Sequence, residues 1–250
     1  MVFSFYARMK RALISSIFFV TLSIPSPSLS WKVDVHIWIA AQVLKDVQNR
    51  NNITLVLDGG SASISLPPER ARAVRNHPRT FLLGSIGPDA FPDVWGGQIV
   101  IHPSFPGGWG THDWLRHLMD SPNMSDEELE FVLGYFIHAS ADTFSHMFEN
   151  RYARVIFDIT EHPAAAIRHI AIESLVSNYL PPINILGLNG SPSALVRNDG
   201  RIDFPEELIL DRLLFNPEAL DQMKMGGAPH FAAAYSLYRD LGSGPIDYRR

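Results

Sequence analysis

The chain has no cysteine among its 250 residues. This absence excludes a disulfide framework and thiolate ligands, so a metal site would have to use His, Asp, Glu or a chain terminus. Long hydrophobic runs are also scarce, because the apolar stretch at residues 12–24 is shorter than the roughly 20 residues of a transmembrane helix. Ten histidines nevertheless provide enough candidate ligands, and a hydrophobic content of 46% is sufficient for one sizeable core.

The first thirty residues have the pattern of an export signal. Three basic residues precede the apolar stretch, and small residues end the segment at Ser30. This order is typical of a signal peptide that is removed from the mature protein, although an uncleaved anchor is the alternative. We therefore expect residues 1–30 to be a signal peptide, cleavage after Ser30, and a secreted or periplasmic mature protein formed by residues 31–250.

The mature chain has few basic residues. Without the signal peptide it carries 18 basic and 26 acidic residues, a net charge of −8. Proteins that bind nucleic acid need positive charge to displace the counterions of the phosphate backbone. The sequence also lacks a basic stripe with interleaved aromatic residues, so this pattern argues against a nucleic-acid partner.

A long helix is predicted around residues 134–149. Ser125, followed three residues later by Glu128, resembles a capping box at the start of a helix. The apolar positions that follow recur at helical spacing, and they are Leu129, Val132, Leu133, Phe136 and Ile137.

Three candidate metal ligands lie along this helix. His138, Asp142 and His146 are spaced at i, i+4 and i+8, so they share one face and rise by about 6 Å per step. The two histidines would be about 12 Å apart, which is too far for both to bind one ion at roughly 2 Å. Asp142 has two oxygens and could bridge two ions, so the pattern favours a cluster. Each histidine, taken alone, is more often an ordinary core or surface residue than a ligand.

Further candidates lie at the mature N-terminus and on either side of the long helix. The free amine and carbonyl of Trp31 could chelate a metal after cleavage, and His36 follows on a predicted apolar helix, where it could also be an incidental buried residue.

Asp89 lies on a Gly/Pro loop, and either His102 or His112 could accompany it. After the long helix, His169 and Glu173 are spaced at i and i+4 and could complete a site with His146.

Elsewhere the sequence predicts structure but no chemistry. Residues 49–68 read as a polar connection rich in Gly and Ser, without a phosphate-binding loop. Residues 68–76 read as a short basic helix, and residues 205–215 and 229–241 as two further helices. We expect an all-α single domain.

The order of these residues resembles that of the zinc-dependent phospholipase C superfamily, which includes glycosylphosphatidylinositol-specific phospholipase D and related single-strand nucleases. Three motifs support the resemblance. They are G-x-x-x-P-D-A-F at residues 84–91, H-x-x-x-D-x-x-x-H at residues 138–146 and H-x-x-x-E at residues 169–173. The likeness extends from Trp31 to about Glu173.

The resemblance implies a cluster of three zinc ions. The first ion would be bound by Asp89, a loop histidine, His138 and Asp142, with His102 preferred over His112 as the loop histidine. The second would be bound by His146, His169 and Glu173. The third would be bound by the Trp31 amine and carbonyl, His36 and the shared Asp142.

The activity implied by the resemblance is hydrolysis of phospholipid head-group phosphodiesters, with peripheral contact to a membrane surface. Asp89 is expected to act as the general base that orients water. One alternative is a single-strand nuclease or 3'-nucleotidase that uses the same cluster. Another is a non-catalytic, zinc-stabilised surface protein that binds lipid.

Overall fold

The computed structural model describes residues 33–57, 59–91, 107–155, 162–185, 188–189, 195–200 and 202–240. The expected signal peptide, Trp31 and His102 lie outside these residues, so the predictions made for them are not tested. Within the described part of the chain, no helix is long and apolar enough to cross a membrane.

The described chain is mostly α-helical, as predicted from the sequence. In the N-terminal half the elements are α1 (Val33–Arg50), β1 (Asn52–Leu57), β2 (Gly60–Ser65), α2 (Pro68–Asn76), α3 (Pro78–Gly84), α4 (Gly87–Ala90) and α5 (Thr111–Met119). The second half contains α6 (Asp126–Ala153), α7 (His162–Tyr179), β3 (Asn184–Ile185), β4 (Leu188–Asn189), α8 (Glu206–Leu208), a π-helix (Ile209–Leu214), α9 (Pro217–Met225) and α10 (Pro229–Asp240).

The segment expected to be an irregular connection is instead a β-hairpin. Strands β1 and β2 pair antiparallel, with Ile53 opposite Ile64 and Leu55 opposite Ala62. These four apolar residues share one face of the hairpin because side chains alternate between the two faces of a strand. The abundance of Gly and Ser obscured this alternation in the sequence.

Helix α6 is the long helix predicted from the capping box and the apolar spacing. Its N-terminal end has the predicted cap, because the Ser125 N–H donates to Glu128 Oε2 at 2.8 Å and the Glu128 N–H donates to Ser125 Oγ at 3.2 Å. Phe131 and Tyr135 are fully buried in the core. The N-terminal half of α6 is therefore a central element of the hydrophobic core.

Helices α3 and α6 are in close backbone contact because two glycines meet at their crossing. A Cβ atom at Gly84 would overlap the carbonyl oxygen of Phe131, and a Cβ at Gly134 would overlap the carbonyl oxygen of Phe81. Only glycine lacks this atom, so the crossing depends on both residues. The close approach fixes the position of the chain that leaves α3 relative to α6.

A buried glutamate of α6 reinforces the start of α3. Glu130 is fully buried, and its Oε1 accepts a hydrogen bond from the His77 N–H at 3.3 Å. Burial raises the pKa of Glu130 from 4.5 to about 8, and the nearby Asp126 and Glu127 add to this effect. Glu130 is thus largely a neutral carboxylic acid at pH 7.

The C-terminal helices differ in part from the sequence prediction. The helix expected over residues 205–215 is a short α-turn, α8, followed by the π-helix, whereas the helix expected over residues 229–241 is present as α10. Helix α9 was not predicted, although Asn216 caps it by accepting from the Glu218 and Ala219 N–H groups. Asn before Pro217 is a recognisable start signal for this helix.

Two reciprocal hydrogen bonds attach α5 to the π-helix. His117 Nε2 donates to the Arg212 carbonyl at 2.8 Å, and the Arg212 guanidinium donates to the His117 carbonyl. Burial lowers the pKa of His117, which favours the neutral ring. The contact holds α5 in place on the side of the molecule where the cavity described below is found.

Candidate metal centre

His36 lies on the buried face of α1. The helix begins at Val33, and its buried residues include Val35, Ile37 and Leu44, which pack into the core. His36 is itself fully buried among them. The hydrophobic face of α1 therefore brings an imidazole into the interior.

His138 of α6 is oriented by a main-chain hydrogen bond. Its Nδ1 lies 2.7 Å from the carbonyl oxygen of Ser85, and a carbonyl can only accept. Nδ1 must therefore carry the proton, so in the neutral ring Nε2 is the nitrogen with a lone pair. A metal-binding histidine is typically held in this way, because the bond fixes both the tautomer and the ring orientation.

The carboxylate of Asp142 lies close to two histidine side chains. Its Oδ2 is 3.1 Å from His138 Nε2, and its Oδ1 is 3.3 Å from His36 Nε2. The two imidazole rings stack with centroids 3.7 Å apart and planes 12° from parallel. Each carboxylate oxygen of Asp142 therefore faces a different nitrogen, a geometry that suits a bridging ligand.

Asp89 approaches the same group from α4. Its side chain is 7% exposed, and its Oδ1 lies 3.8 Å from His138 Nε2. Gly87 makes this approach possible, since a Cβ there would overlap the ring of Tyr135. Burial raises the pKa of Tyr135 well above its ordinary value, and the Tyr135 hydroxyl donates to the Phe91 carbonyl at 3.3 Å. Tyr135 thus braces the end of the α4 segment as a neutral group.

The donor atoms of this group match the requirements of a metal ion. One ligand atom each from His36, Asp89 and His138 lies within 4.8 Å of the others, and all three residues are buried. Two imidazoles with a carboxylate form a donor set that zinc accepts, and Asp142 lies beside it. The resemblance assigned His36 and Asp89 to different ions, whereas the structure brings them into one group with His138.

A second pair of candidate ligands lies on α7. His169 Nε2 is 2.9 Å from Glu173 Oε1, and both side chains are almost completely buried. His146 lies on α6, but its side chain is outside the described part of the structure. Helix α7 packs against α6, and Arg168 donates to the Tyr152 carbonyl at 3.4 Å. The predicted spacing of His169 and Glu173 is thus realised as a buried pair.

His112, the alternative loop histidine, occupies a different environment. It is exposed on α5 and its Nε2 accepts a hydrogen bond from Arg116 at 3.1 Å. Among the described residues, the group with metal-binding geometry does not include His112. His102 lies outside the described residues, so the choice between the two as a ligand stays a prediction.

A cavity of about 560 Å³ opens beside the metal group. His138 and Asp142 contribute to one wall, together with other residues of α6, and Thr111, His112 and Leu115 of α5 form another. A cavity of this volume is in the range of small-molecule sites. Two of the candidate ligands, His138 and Asp142, therefore border a cavity that α5 also lines.

Sequence reasoning missed the groups that support these ligands. The Ser85 carbonyl holds His138, and Gly84, Gly87 and Gly134 permit the close packing around it. Every residue has a main-chain carbonyl, so the sequence does not show which one will bind a side chain. Gly84 belongs to a motif that the sequence did show, and Gly87 lies at one of its unspecified positions, but only their contacts reveal their role.

A mostly helical chain that buries histidines and carboxylates beside a cavity has the features of a metal-dependent hydrolase. The family model described as zinc dependent phospholipase C matches residues 35–192, which is well over half of the chain. The protein belongs to this family, and the resemblance noted in the sequence is confirmed. Comparisons with curated proteins and with solved structures gave no match.

Proposed function

We propose that this protein is a zinc-dependent phosphoric diester hydrolase that cleaves phospholipid head-group phosphodiesters. The observation that carries the proposal is the buried group of His36, Asp89 and His138 beside the cavity, in a chain of the zinc dependent phospholipase C family. Family membership supports a zinc-dependent hydrolase. The substrate class and the number of ions are the parts that we propose.

The proposed cluster contains three zinc ions. The described donors would contribute to all three, with Asp142 shared between two of them because its oxygens face His36 and His138. The pair His169 and Glu173 would serve a separate ion with His146. When bound, zinc supplies Lewis acidity for the phosphoryl oxygens and lowers the pKa of water. The remaining ligands, Trp31, His102 and His146, are assigned from the sequence alone.

Asp89, the Ser85 carbonyl and Tyr135 have the remaining roles in the proposed mechanism. Asp89 orients the attacking water and accepts its proton, because its carboxylate lies beside the histidine pair, 3.8 Å from His138 Nε2. The Ser85 carbonyl accepts the Nδ1 proton of His138, which leaves Nε2 as the nitrogen with a lone pair. The Tyr135 hydroxyl holds the α4 segment in place by donating to the Phe91 carbonyl. The protein therefore supplies a preorganised arrangement of donors before a substrate binds.

The lining of the cavity supports a phosphodiester with an apolar portion. Pro88, Leu115 and Phe136 contribute apolar surface, whereas Thr111 and Thr143 contribute hydroxyl groups. A head group needs polar contacts near the phosphate, and the adjoining glycerol and acyl carbons favour apolar surface. The mixed lining is consistent with both needs.

Peripheral contact with a lipid surface is a further part of the proposal. Helix α6 exposes Phe144 and Phe148, which are 81% and 49% exposed, and α7 exposes Leu175 and Tyr179 at 56% and 80%. Exposed aromatic side chains partition favourably into the interface of a bilayer. Replacing Phe144 and Phe148 together by Ser should lower binding to phosphatidylcholine vesicles in a sedimentation assay, while Leu237→Ser, at a position 59% exposed on α10, should not.

Retained vesicle binding by the double variant would exclude this part of α6 as the lipid contact. Zinc content and hydrolysis of a soluble phosphodiester should stay unchanged in the double variant. These two readouts separate a loss of lipid contact from a loss of fold.

The central test compares substrates. The purified chain without residues 1–30 is assayed on a phosphatidylcholine dispersion, an RNA oligomer and a 3'-nucleotide, with and without removal of zinc by a chelator. We expect zinc-dependent release of the head group from the lipid and little turnover of the other two. Faster turnover of RNA or of the nucleotide would identify the protein as a nuclease or nucleotidase. Vesicle binding without any turnover would indicate the non-catalytic lipid-binding protein.

Secretion is proposed from the sequence of residues 1–30. Expression of the full chain in a bacterial host, followed by fractionation, should give a mature protein outside the cytoplasm whose first residue is Trp31. A different first residue would move the cleavage site, and a cytoplasmic full-length product would contradict secretion.

A further inference from the structure

The cavity beside the metal group has a second wall that contains a histidine not used by the proposed mechanism. This wall belongs to α5, where His112 and Thr111 line the cavity and face a space that His138 and Asp142 also border. A substrate that reaches the metal group through this cavity therefore comes close to α5.

The hydrogen bond between His112 and Arg116 determines which nitrogen of His112 carries a proton. A guanidinium group has five N–H donors and no acceptor, so Arg116 must donate to His112 Nε2 across their 3.1 Å separation. The neutral ring then carries its proton on Nδ1. His112 is thus a hydrogen-bond donor with a positively charged neighbour four residues along the same helix.

The lining of the cavity includes groups of both electrostatic characters. Asp142 of the metal group contributes a carboxylate, whereas the α5 wall contributes His112, an N–H donor that is hydrogen-bonded to the Arg116 guanidinium group. A phosphate ester carries negative charge on its non-bridging oxygens, and such oxygens prefer N–H donors that are close to a cation. The α5 wall therefore has the chemistry to bind one of these oxygens.

We propose that His112 binds a non-bridging oxygen of the substrate phosphate from the α5 side of the cavity, and that Arg116 positions it. This proposal rests on the proposed function and assigns His112 to the substrate instead of to a zinc ion. His112 is the binding residue, and Arg116 acts through it by fixing the tautomer and the ring orientation.

Binding of inorganic phosphate to the zinc-loaded protein provides the test, measured by calorimetry. The His112→Ala variant should keep its full zinc content and bind phosphate about tenfold to a hundredfold more weakly, the usual loss for a hydrogen bond to a charged group. His112→Asn should recover part of the affinity, because the amide nitrogen of Asn lies close to the position of Nδ1. The matched control is His230→Ala, which removes another exposed histidine on α10 and should leave both quantities unchanged.

Arg116→Ala should weaken phosphate binding less than His112→Ala, and in the His112→Ala background it should add little, since Arg116 is expected to act through His112. Independent and additive losses would show that Arg116 binds the phosphate directly and would overturn its positioning role.

Three results would overturn the assignment of His112. A loss of zinc in His112→Ala would make it a metal ligand, unchanged phosphate affinity would remove it from the site, and a wild-type protein that binds no phosphate would leave the α5 wall without this role. The proposed function is judged separately by turnover of phosphodiesters. A protein that binds phosphate through His112 but cleaves no diester would retain this inference and refute the proposed activity.

Discussion

Replacing Glu130 by Gln should make the protein more stable at alkaline pH. Glutamine retains the oxygen that accepts from the His77 N–H, but it cannot ionise. In the folded chain burial raises the pKa of Glu130 to about 8, whereas in the unfolded chain it returns to the ordinary value of 4.5. The folded state therefore binds more protons than the unfolded state between these two pH values, and its stability falls as the pH rises through this window.

The size of the effect follows from the two pKa values. Each pKa unit corresponds to about 1.4 kcal/mol, so the wild-type protein should lose roughly 5 kcal/mol between pH 4.5 and pH 8 from this one group. The loss is absent below pH 4.5, where Glu130 is protonated in both states, and it is complete above pH 8. Rearrangement around the ionised group would reduce this figure, so roughly 5 kcal/mol is the upper limit.

Urea unfolding of the wild-type protein and of Glu130→Gln, repeated from pH 4.5 to 9, measures the difference directly. Other titrating groups are common to both proteins and cancel in the difference. The Gln variant should gain stability relative to wild type by up to about 1.4 kcal/mol per pH unit, whereas Glu69→Gln, at an exposed position on α2, should not. Parallel pH profiles for wild type and Glu130→Gln would refute the argument that burial holds Glu130 neutral.

Three further predictions concern the site and its support. Asp142→Asn should remove two zinc ions on metal analysis, because an amide has only one good metal-binding oxygen, and loss of a single ion would contradict the bridging role. Gly84→Ala should lower the free energy of unfolding by about 3 kcal/mol in urea and reduce the zinc content, since its Cβ would overlap the Phe131 carbonyl. Gly60→Ala is its control, because a Cβ there meets nothing within 4 Å. One residue added before Trp31 should lower zinc content and activity by displacing the terminal amine about 3.5 Å, and full zinc loading would exclude Trp31 as a ligand.

Local patterns predicted much of the helical structure. Helix α2 begins at Pro68 and ends at Asn76, as the sequence indicated, and the capping box of α6 is present at Ser125 and Glu128. Helix start signals and apolar spacing are local features, so a sequence displays them directly. The hairpin of β1 and β2 was missed because exposed Ser and Gly residues dilute its alternation, and strand pairing depends on residues that are not adjacent.

The candidate site was predictable only within single helices. The spacing of His138 and Asp142 places both on one face of α6, and that of His169 and Glu173 does the same on α7, in agreement with the short distances observed. The stacking of His36 on His138 could not be predicted in this way, since it depends on how α1 packs against α6. The spacing of two residues along a helix determines whether they share a face of that helix. Contacts between residues of different helices depend on how the helices pack in the core.

The burial of charge gives an independent argument for a cation at this site. Asp89, Asp142 and Glu173 are all at most 9% exposed, and each lies within 4 Å of an imidazole nitrogen. Removing a carboxylate from water costs several kcal/mol unless a positive charge or strong hydrogen bonds compensate. A neutral imidazole supplies at most one hydrogen bond, and His138 already uses its Nδ1 proton on the Ser85 carbonyl. A divalent ion held by Asp89 and Asp142 would balance both carboxylates at once, and the direction of His138 Nε2 suits the same ion.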